Sequence, residues 1–244
     1  MIGRRATVDI VIPVYNEERV LEQSIAKLTC FLERNFDHEW NIVIADNASS
    51  DSTPQKAIEL SKRFPNVSYI RLSEKGRGRA LREAWMGSKA DIVSYMDVDL
   101  STNLESFPKL ISLVISGSDI AIGSRLLKDS NTQRCIKREA ISRCYNLLLK
   151  VFFHNKFSDA QCGFKALTKE AADVIVPLIE NNDFFFDSEL LVLSEKGGYR
   201  IGEMPVNWIE DLDTKARIIK DAYDDVKSII RLRFETKIAE LKRR

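Results

Sequence analysis

The sequence predicts an α/β protein built on a mainly parallel, mixed sheet flanked by helices. Two observations carry that prediction. Short apolar runs alternate with amphipathic segments of helical length through the first half of the chain. Several of the runs also stop at carboxylates, and in open α/β sheets ligands gather at the carboxyl ends of the strands.

The first strand is expected at 8–14, where VDIVIPV is closed by Pro13 and followed by a helix-starting Asn16-Glu17-Glu18. A second, at 41–46, runs through Asn41-Ile-Val-Ile-Ala-Asp46 into the polar turn DNASSDST. Further strands are expected at 67–72, 91–97 and 119–123, with helices between them at 17–35, 53–64, 77–89 and 104–116. The second half is more helical, with segments at 134–153, 169–180, 186–197 and 214–242 and a short strand at 200–206 on the sheet edge. Gly76-Arg-Gly-Arg-Ala80 lies before a helix, but it lacks the third glycine and the acidic residue of a dinucleotide fingerprint. The chain thus divides into one domain over 1–211 and a basic amphipathic helix over 212–244.

Bulk properties narrow the function. A formal charge of +1 over 244 residues gives no whole-molecule attraction to nucleic acid. Cys30, Cys135, Cys144 and Cys162 are widely spaced, forming neither a metal set nor a disulfide framework, which fits a reducing, cytoplasmic setting. The apolar run after Arg4 and Arg5 contains Pro13 and lacks a cleavage site, so it reads as a strand rather than a signal peptide. No stretch reaches the roughly 18 apolar residues that span a bilayer. A lipid substrate would be served from the membrane surface.

The segment Ser94-Tyr-Met-Asp97-Val98-Asp99 carries the sharpest chemistry. Residues i and i+2 of an extended chain point the same way, so both carboxylates can converge on one cation. Hard oxygens without nearby His or Cys suit Mg²⁺ or Mn²⁺. The plainer alternative is an Asp pair that caps a turn.

Taken in order, VDIVIPVYNE, NIVIADNASSDST, SYMDVD, QCGFK and FFFDSELL resemble family 2 glycosyltransferases of the GT-A fold. Within them the likeness is strongest to the polyprenyl- or dolichyl-phosphate hexose synthases, and it spans Val8 to Lys215. The resemblance implies a nucleotide pocket at Pro13, Tyr15, Glu17 and Asp46, with Asn47 standing where many relatives carry a second Asp. It implies that Asp97 lies by the ribose and Asp99 holds the metal, both being within reach of the ion. Arg77 and Arg79 match a basic turn near the nucleotide, although a solvated helix entry also accounts for them. Arg125 and Arg134 match the arginines that hold an acceptor phosphate. Asp159 and Gln161, in the QCGFK block, match groups that contact sugar hydroxyls or place the acceptor, and with Asp99 they form the expected catalytic set. Asp187 and Glu189 are expected one toward the sugar and one toward solvent. A phosphate acceptor is already ionised near neutrality, so their place as general base can stand vacant. Trp208 with Thr214-Lys215 matches a closing element whose lysine reaches phosphate.

The segment 134–156 adds a membrane signal. Ile136, Ala140, Ile141, Cys144, Leu147, Leu148, Val151 and Phe152 fall at helical spacing, and six basic residues stand against one glutamate. Such a helix suits either packing on the domain with a solvated basic face or an anionic membrane interface, and Phe152-Phe153 at its end favours the membrane. The expected activity is inverting, metal-dependent transfer of a hexose from a nucleotide sugar to dolichyl or polyprenyl phosphate at the cytoplasmic membrane face. QCGFK favours UDP-glucose over GDP-mannose as donor. Two other readings fit the same residues: transfer to a soluble or glycan acceptor, and catalytically silent nucleotide-sugar binding.

Overall fold

In β1 (Thr7–Val14), Val8, Ile10, Ile12 and Val14 enter one apolar core while Val11 enters another, the period of two that a strand covered on both faces requires. The computed structural model describes residues 5–133, 135–209 and 218–234, without the side chains of 218–223. β1 lies inside a seven-stranded sheet of order β3-β2-β1-β4-β7-β5-β8. The other members are β2 (Glu39–Asp46), β3 (Val67–Arg71), β4 (Ile92–Met96), β5 (Ile120–Ser124), β7 (Phe164–Thr168) and β8 (Ile201–Pro205). β3, β2, β1 and β4 run parallel, as do β5 and β8, and β7 runs antiparallel between β4 and β5. β6 (Asn131–Gln133) and β9 (Asn207–Ile209) form a separate parallel pair.

The helices are α1 (Leu21–Asn35), α2 (Thr53–Arg63), α3 (Arg77–Gly87), α4 (Phe107–Ile115), α5 (Ile136–Phe153), α6 (Lys169–Ile175), α7 (Phe186–Lys196) and α8 (Ile218–Phe234). α1 starts four residues later than expected. Asn16 is left-handed (φ 54°), and the amides of residues 16, 17 and 18 bond to Ser49, Thr53 and Asp51 of the turn beyond β2. That turn claims the backbone before a helix can. α6 is shorter than expected because Pro177, without an N–H, turns the chain into a 3₁₀ turn at Val176–Leu178. The strand at the sheet edge appears as expected in β8, whereas β6, β7 and β9 were not foreseen. α8 packs on the same core as α5, burying Ile229 and Leu232 beside Leu149 and Phe153.

That packing corrects the expected membrane end of α5. Phe153 is 2% exposed and Phe152 is packed against the core, because the helix turns this end inward. Solvent instead meets Ile136, Ile141, Leu147 and Val151. Phe153→Ala is therefore expected to cost about 3–5 kcal/mol in urea denaturation, while Val151→Ala changes stability by no more than about 0.5 kcal/mol. Equal effects would contradict this orientation.

Candidate active site

The ends of β1, β2 and β4 open on one edge, and three non-glycine residues just beyond them are left-handed: Asn16, Ala48 and Leu100 (φ 54°, 59° and 51°). Such conformations cost roughly 1 kcal/mol or more each, and they concentrate where a site demands them. Beyond β1, Pro13 is buried and the Tyr15 ring is partly exposed, with the Lys75 ammonium 3.6 Å from its centre. Glu17 is half-buried beside them. Beyond β2, Asp46 is fully buried and accepts hydrogen bonds from the Ser49 amide (2.9 Å) and the Tyr69 hydroxyl (3.1 Å), with Arg71 at 3.5 Å. Burial and then the Asp46 charge push the Tyr69 hydroxyl up to about 12. Asn47 accepts the Gly76 amide at 2.5 Å, tying the turn before α3 to this edge.

β4 delivers the carboxylate pair. Asp97 Oδ1 accepts Arg77 Nη2 at 2.7 Å, and the other Arg77 nitrogen, Nη1, donates to Asp187 Oδ2 at 2.6 Å. Asp97 Oδ2 lies so close to Gly163 that a Cβ there would stand 1.8 Å from it. Asp99 is exposed, and its Oδ1 accepts the Ser101 amide at 2.9 Å. Under this pair, Asp187 is 2% exposed and meets Lys165 Nζ at 2.9 Å and the Tyr95 hydroxyl. Lys165 is wholly buried and also donates to the carbonyls of Ala160 and Cys162. Burial would raise the Asp187 carboxyl, but Lys165 and Arg77 outweigh it and hold it below the usual carboxylate range. Burial likewise opposes the Arg77 charge, and Asp97, Tyr95 and Asp187 overcome it, holding the guanidinium well above its ordinary value.

A second buried pair stands across the site. Asp159 is fully buried and receives Arg125 Nε at 2.7 Å and Nη2 at 2.9 Å, with the Arg125 amide at 3.1 Å. The Arg125 guanidinium also lies 5.5 Å from the Trp208 ring centre. Burial would lift the Asp159 carboxyl, but Arg125 pulls it below its usual range.

A family model for glycosyl transferase family 2 matches residues 9–176. The chain belongs to that family. It is 34% identical to glycosyltransferase AglD of Haloferax volcanii over 88% of its length, spanning 35% of that protein. It is 28% identical to the dolichyl-phosphate beta-glucosyltransferase of Saccharomyces cerevisiae, covering 92% of this chain and 73% of the yeast protein. The dolichol-phosphate mannosyltransferase of Pyrococcus furiosus is 33% identical, with 81% of this chain and 55% of that one covered. Among solved structures, glucosyl-3-phosphoglycerate synthase of Mycobacterium tuberculosis, in complex with Mn²⁺, UDP-glucose and phosphoglyceric acid, superposes with a TM-score of 0.71. That match has 15% identity and covers 93% of this chain and 80% of the other, a likeness of fold. The protein is a family 2 glycosyltransferase with the GT-A fold.

The residues singled out from this family 2 transferase's sequence separate into groups. Pro13, Tyr15, Glu17, Asp46, Arg77, Asp97 and Asp99 all belong to the edge formed by β1, β2, β4 and the start of α3. Asp46 and Asp159 are enclosed, with oxygens bonded to neighbouring protein groups, whereas Gln161 is exposed on the turn that Lys165 holds. Arg79 pairs with Glu74, and its amide donates to the Asn182 carbonyl. Arg134 and Thr214-Lys215 lie outside the described residues. The expectation that Asp187 and Glu189 divide between sugar and solvent is corrected, since both are buried. Glu189 accepts the amides of Glu180 and Asn181 and is paired with Arg231 of α8 at 2.7 Å. Tyr95, Lys165 and Lys75 were missed. The visible signal for Lys165 was a lysine inside the apolar run Phe164-Lys-Ala-Leu167.

Two outcomes follow for this architecture. Gly163→Ala drives a methyl group into the Asp97 carboxylate, so nucleotide-sugar binding measured by calorimetry should weaken at least about tenfold while the fold persists. Unchanged affinity would show that Asp97 has other room. Asp159 and Asp187 titrate below their unfolded value, so the stability they confer is complete above about pH 4 and is lost as pH falls through their folded values. Asp159→Asn should flatten that acid limb in urea titrations and lower stability at pH 7 by about 3 kcal/mol, leaving Arg125 buried without its partner.

Proposed function

We propose that this glycosyltransferase moves a hexose from a nucleotide sugar to a polyprenyl or dolichyl phosphate, with inversion at the anomeric carbon. UDP-glucose is the favoured donor and GDP-mannose the next. The observation that carries the reading is the state of the carboxylates. Asp187 is claimed by Lys165, Arg77 and Tyr95, Glu189 by Arg231 and two amides, and Asp159 by Arg125. None of them is placed to take a proton from an alcohol. A phosphate monoester needs no such base, since its second pKa is near 6. The yeast dolichyl-phosphate beta-glucosyltransferase and the Pyrococcus dolichol-phosphate mannosyltransferase support the same acceptor.

Arg125 suits that acceptor. Asp159 fixes one edge of the guanidinium through Nε and Nη2, which aims the remaining edge as a two-pronged phosphate ligand. Gln161 and, from the sequence pattern, Arg134 and Lys215 complete the acceptor and phosphate contacts. Pro13, Tyr15, Glu17 and Asp46 frame the base and ribose. An acceptor phosphate oxygen bonds to the anomeric carbon as the bond from that carbon to the diphosphate oxygen breaks, and the leaving group departs as a nucleoside diphosphate.

Asp99, with Asp97, fits a divalent metal of the Mg²⁺ or Mn²⁺ type. The described residues contain no group of three or more metal-binding side chains. A two-carboxylate site that completes its shell with diphosphate oxygens and water suits these hard ions. The bound ion supplies charge stabilisation to the departing diphosphate. The Mn²⁺ and UDP-glucose in the mycobacterial structure support this assignment.

The proposed reaction lies at a membrane surface, where a lipid-borne acceptor resides, and on its cytoplasmic face, in keeping with four widely spaced cysteines. No helix among the described residues is long and apolar enough to cross a bilayer. α5 instead presents Ile136, Leu147 and Val151, at 85%, 61% and 62% exposure, next to the exposed Lys137, Arg143 and Lys150. Apolar burial and attraction to anionic headgroups act together on such a face.

Dolichyl phosphate in detergent, incubated with a panel of labelled UDP- and GDP-sugars and Mg²⁺ or Mn²⁺, tests the reaction. Lipid-linked glucose should form from UDP-glucose, and Asp99→Asn should reduce it by about 100-fold or more. Nucleotide binding without product from any donor would sink the reading. For docking, Leu147→Glu with Val151→Glu should abolish sedimentation with phosphatidylserine vesicles at an unchanged melting temperature. Undiminished sedimentation would remove α5 from the membrane face.

A further inference from the structure

Four charges alternate in a row beneath the donor edge: Lys165, Asp187, Arg77 and Asp97, with successive separations of 2.9, 2.6 and 2.7 Å. They come from four separate elements, since Lys165 is on β7, Asp187 on α7, Arg77 at the start of α3, and Asp97 just beyond β4. The row has two open ends. At one, Asp97 is 42% exposed on the nucleotide edge. At the other, Lys165 grips the carbonyls of Ala160 and Cys162, which flank the exposed Gln161. Asp187 is the only carboxylate that touches both cations among the contacts described.

We propose that Asp187 is a positioning residue for the donor site. Through Arg77 it fixes the Asp97 carboxylate, and through Lys165 it fixes the turn that displays Gln161. Three physical facts support the assignment. The Arg77 fork is planar and binds one carboxylate on each terminal nitrogen, so anchoring one arm on an immobile group sets the direction of the other. The Tyr95 hydroxyl, which bonds Asp187, and the Tyr95 ring, 5.0 Å from the Arg77 guanidinium, leave Asp187 and Arg77 little room to swing. Gly163 then receives the far oxygen of Asp97 where a side chain would expel it. A carboxylate so aimed meets ribose or metal without first being ordered, and that saving appears as affinity.

The inference rests on the proposed donor chemistry, and its test uses only the donor half of the reaction. Binding of UDP, and separately GDP, in the presence of Mn²⁺ is measured by calorimetry on the full chain, with far-UV circular dichroism as the check on folding. Asp187→Asn is expected to weaken Mn²⁺–nucleotide binding at least tenfold while the protein remains folded at the assay temperature. Arg77→Lys, which keeps the charge and loses the fork, is expected to weaken it to a similar degree. If Asp187→Asn leaves Lys165 too costly to bury, Asp187→Asn with Lys165→Met restores the charge balance and should remain weak in binding. Arg77→Lys tests the fork itself, and the Asp187 variants decide whether its anchoring matters. Wild-type affinity in the folded variants, with any loss confined to turnover or to melting temperature, would overturn the positioning role. A wild-type protein that binds neither nucleotide would overturn the donor reading together with it.

Discussion

The Asp187 carboxylate is the point on which the site is built. An isolated carboxylate at 2% exposure would be neutral, since burial of an unpaired charge costs several kcal/mol. Here Lys165 and Arg77 flank it, and the balance favours the ionised form. Lys165 is wholly buried against it, while Arg77 shares its charge between Asp187 and Asp97. The buried charges therefore impose mutual placement on β7, α7 and α3, and Asp97 beyond β4 inherits its direction from them. Buried ion pairs add little net stability, but their geometry is exacting, and geometry is what a transfer site requires.

The same logic, repeated across the site, separates two kinds of charged group. Asp159 is locked to Arg125 and Glu189 to Arg231, so these two carboxylates serve as frame. Asp99, Tyr15 and Lys75 are instead exposed beyond the strand ends, and Asp97 is partly exposed there. Carboxylates already bound to buried cations are unsuited to activating an alcohol. The left-handed residues Asn16, Ala48 and Leu100 belong to the same edge, where local strain is carried by tight turns and the sheet beneath them.

α5 shows how one helix can serve two surfaces. Ser142, Asn146, Leu149 and Phe153 face inward, and Asn146 accepts the Ala160 amide, so the helix supports the turn that Lys165 also holds. Its outward stripe of Ile136, Leu147 and Val151 is stabilised by nothing within the described residues of the domain. The helix therefore joins the lipid-facing side proposed for the enzyme to the turn at Ala160 by direct packing.

Much of this was legible from residue order. Alternating apolar runs determined five of the strands and the layered α/β plan, because strand and helix periodicities are local properties of the chain. The ordered motifs determined the family, but Asp97 and Asp99 both lie in the turn beyond β4, where the period of an extended strand no longer sets a shared direction. The antiparallel strand β7 was invisible: its residues read as a motif, and only pairing with β4 and β5 makes them a strand. The direction of Phe152 and Phe153 was equally undetermined, since spacing defines a helical face but not what packs against it. Above all, the fate of each charge was a tertiary matter. The ion partners of Asp187 and Asp159 are absent from their local sequence, and the apolar run around Lys165 signals burial without naming its partner. Long-range pairing alone decides which of them are frame, because electrostatic energy depends on distance in space and on burial, and neither is written in the order of the residues.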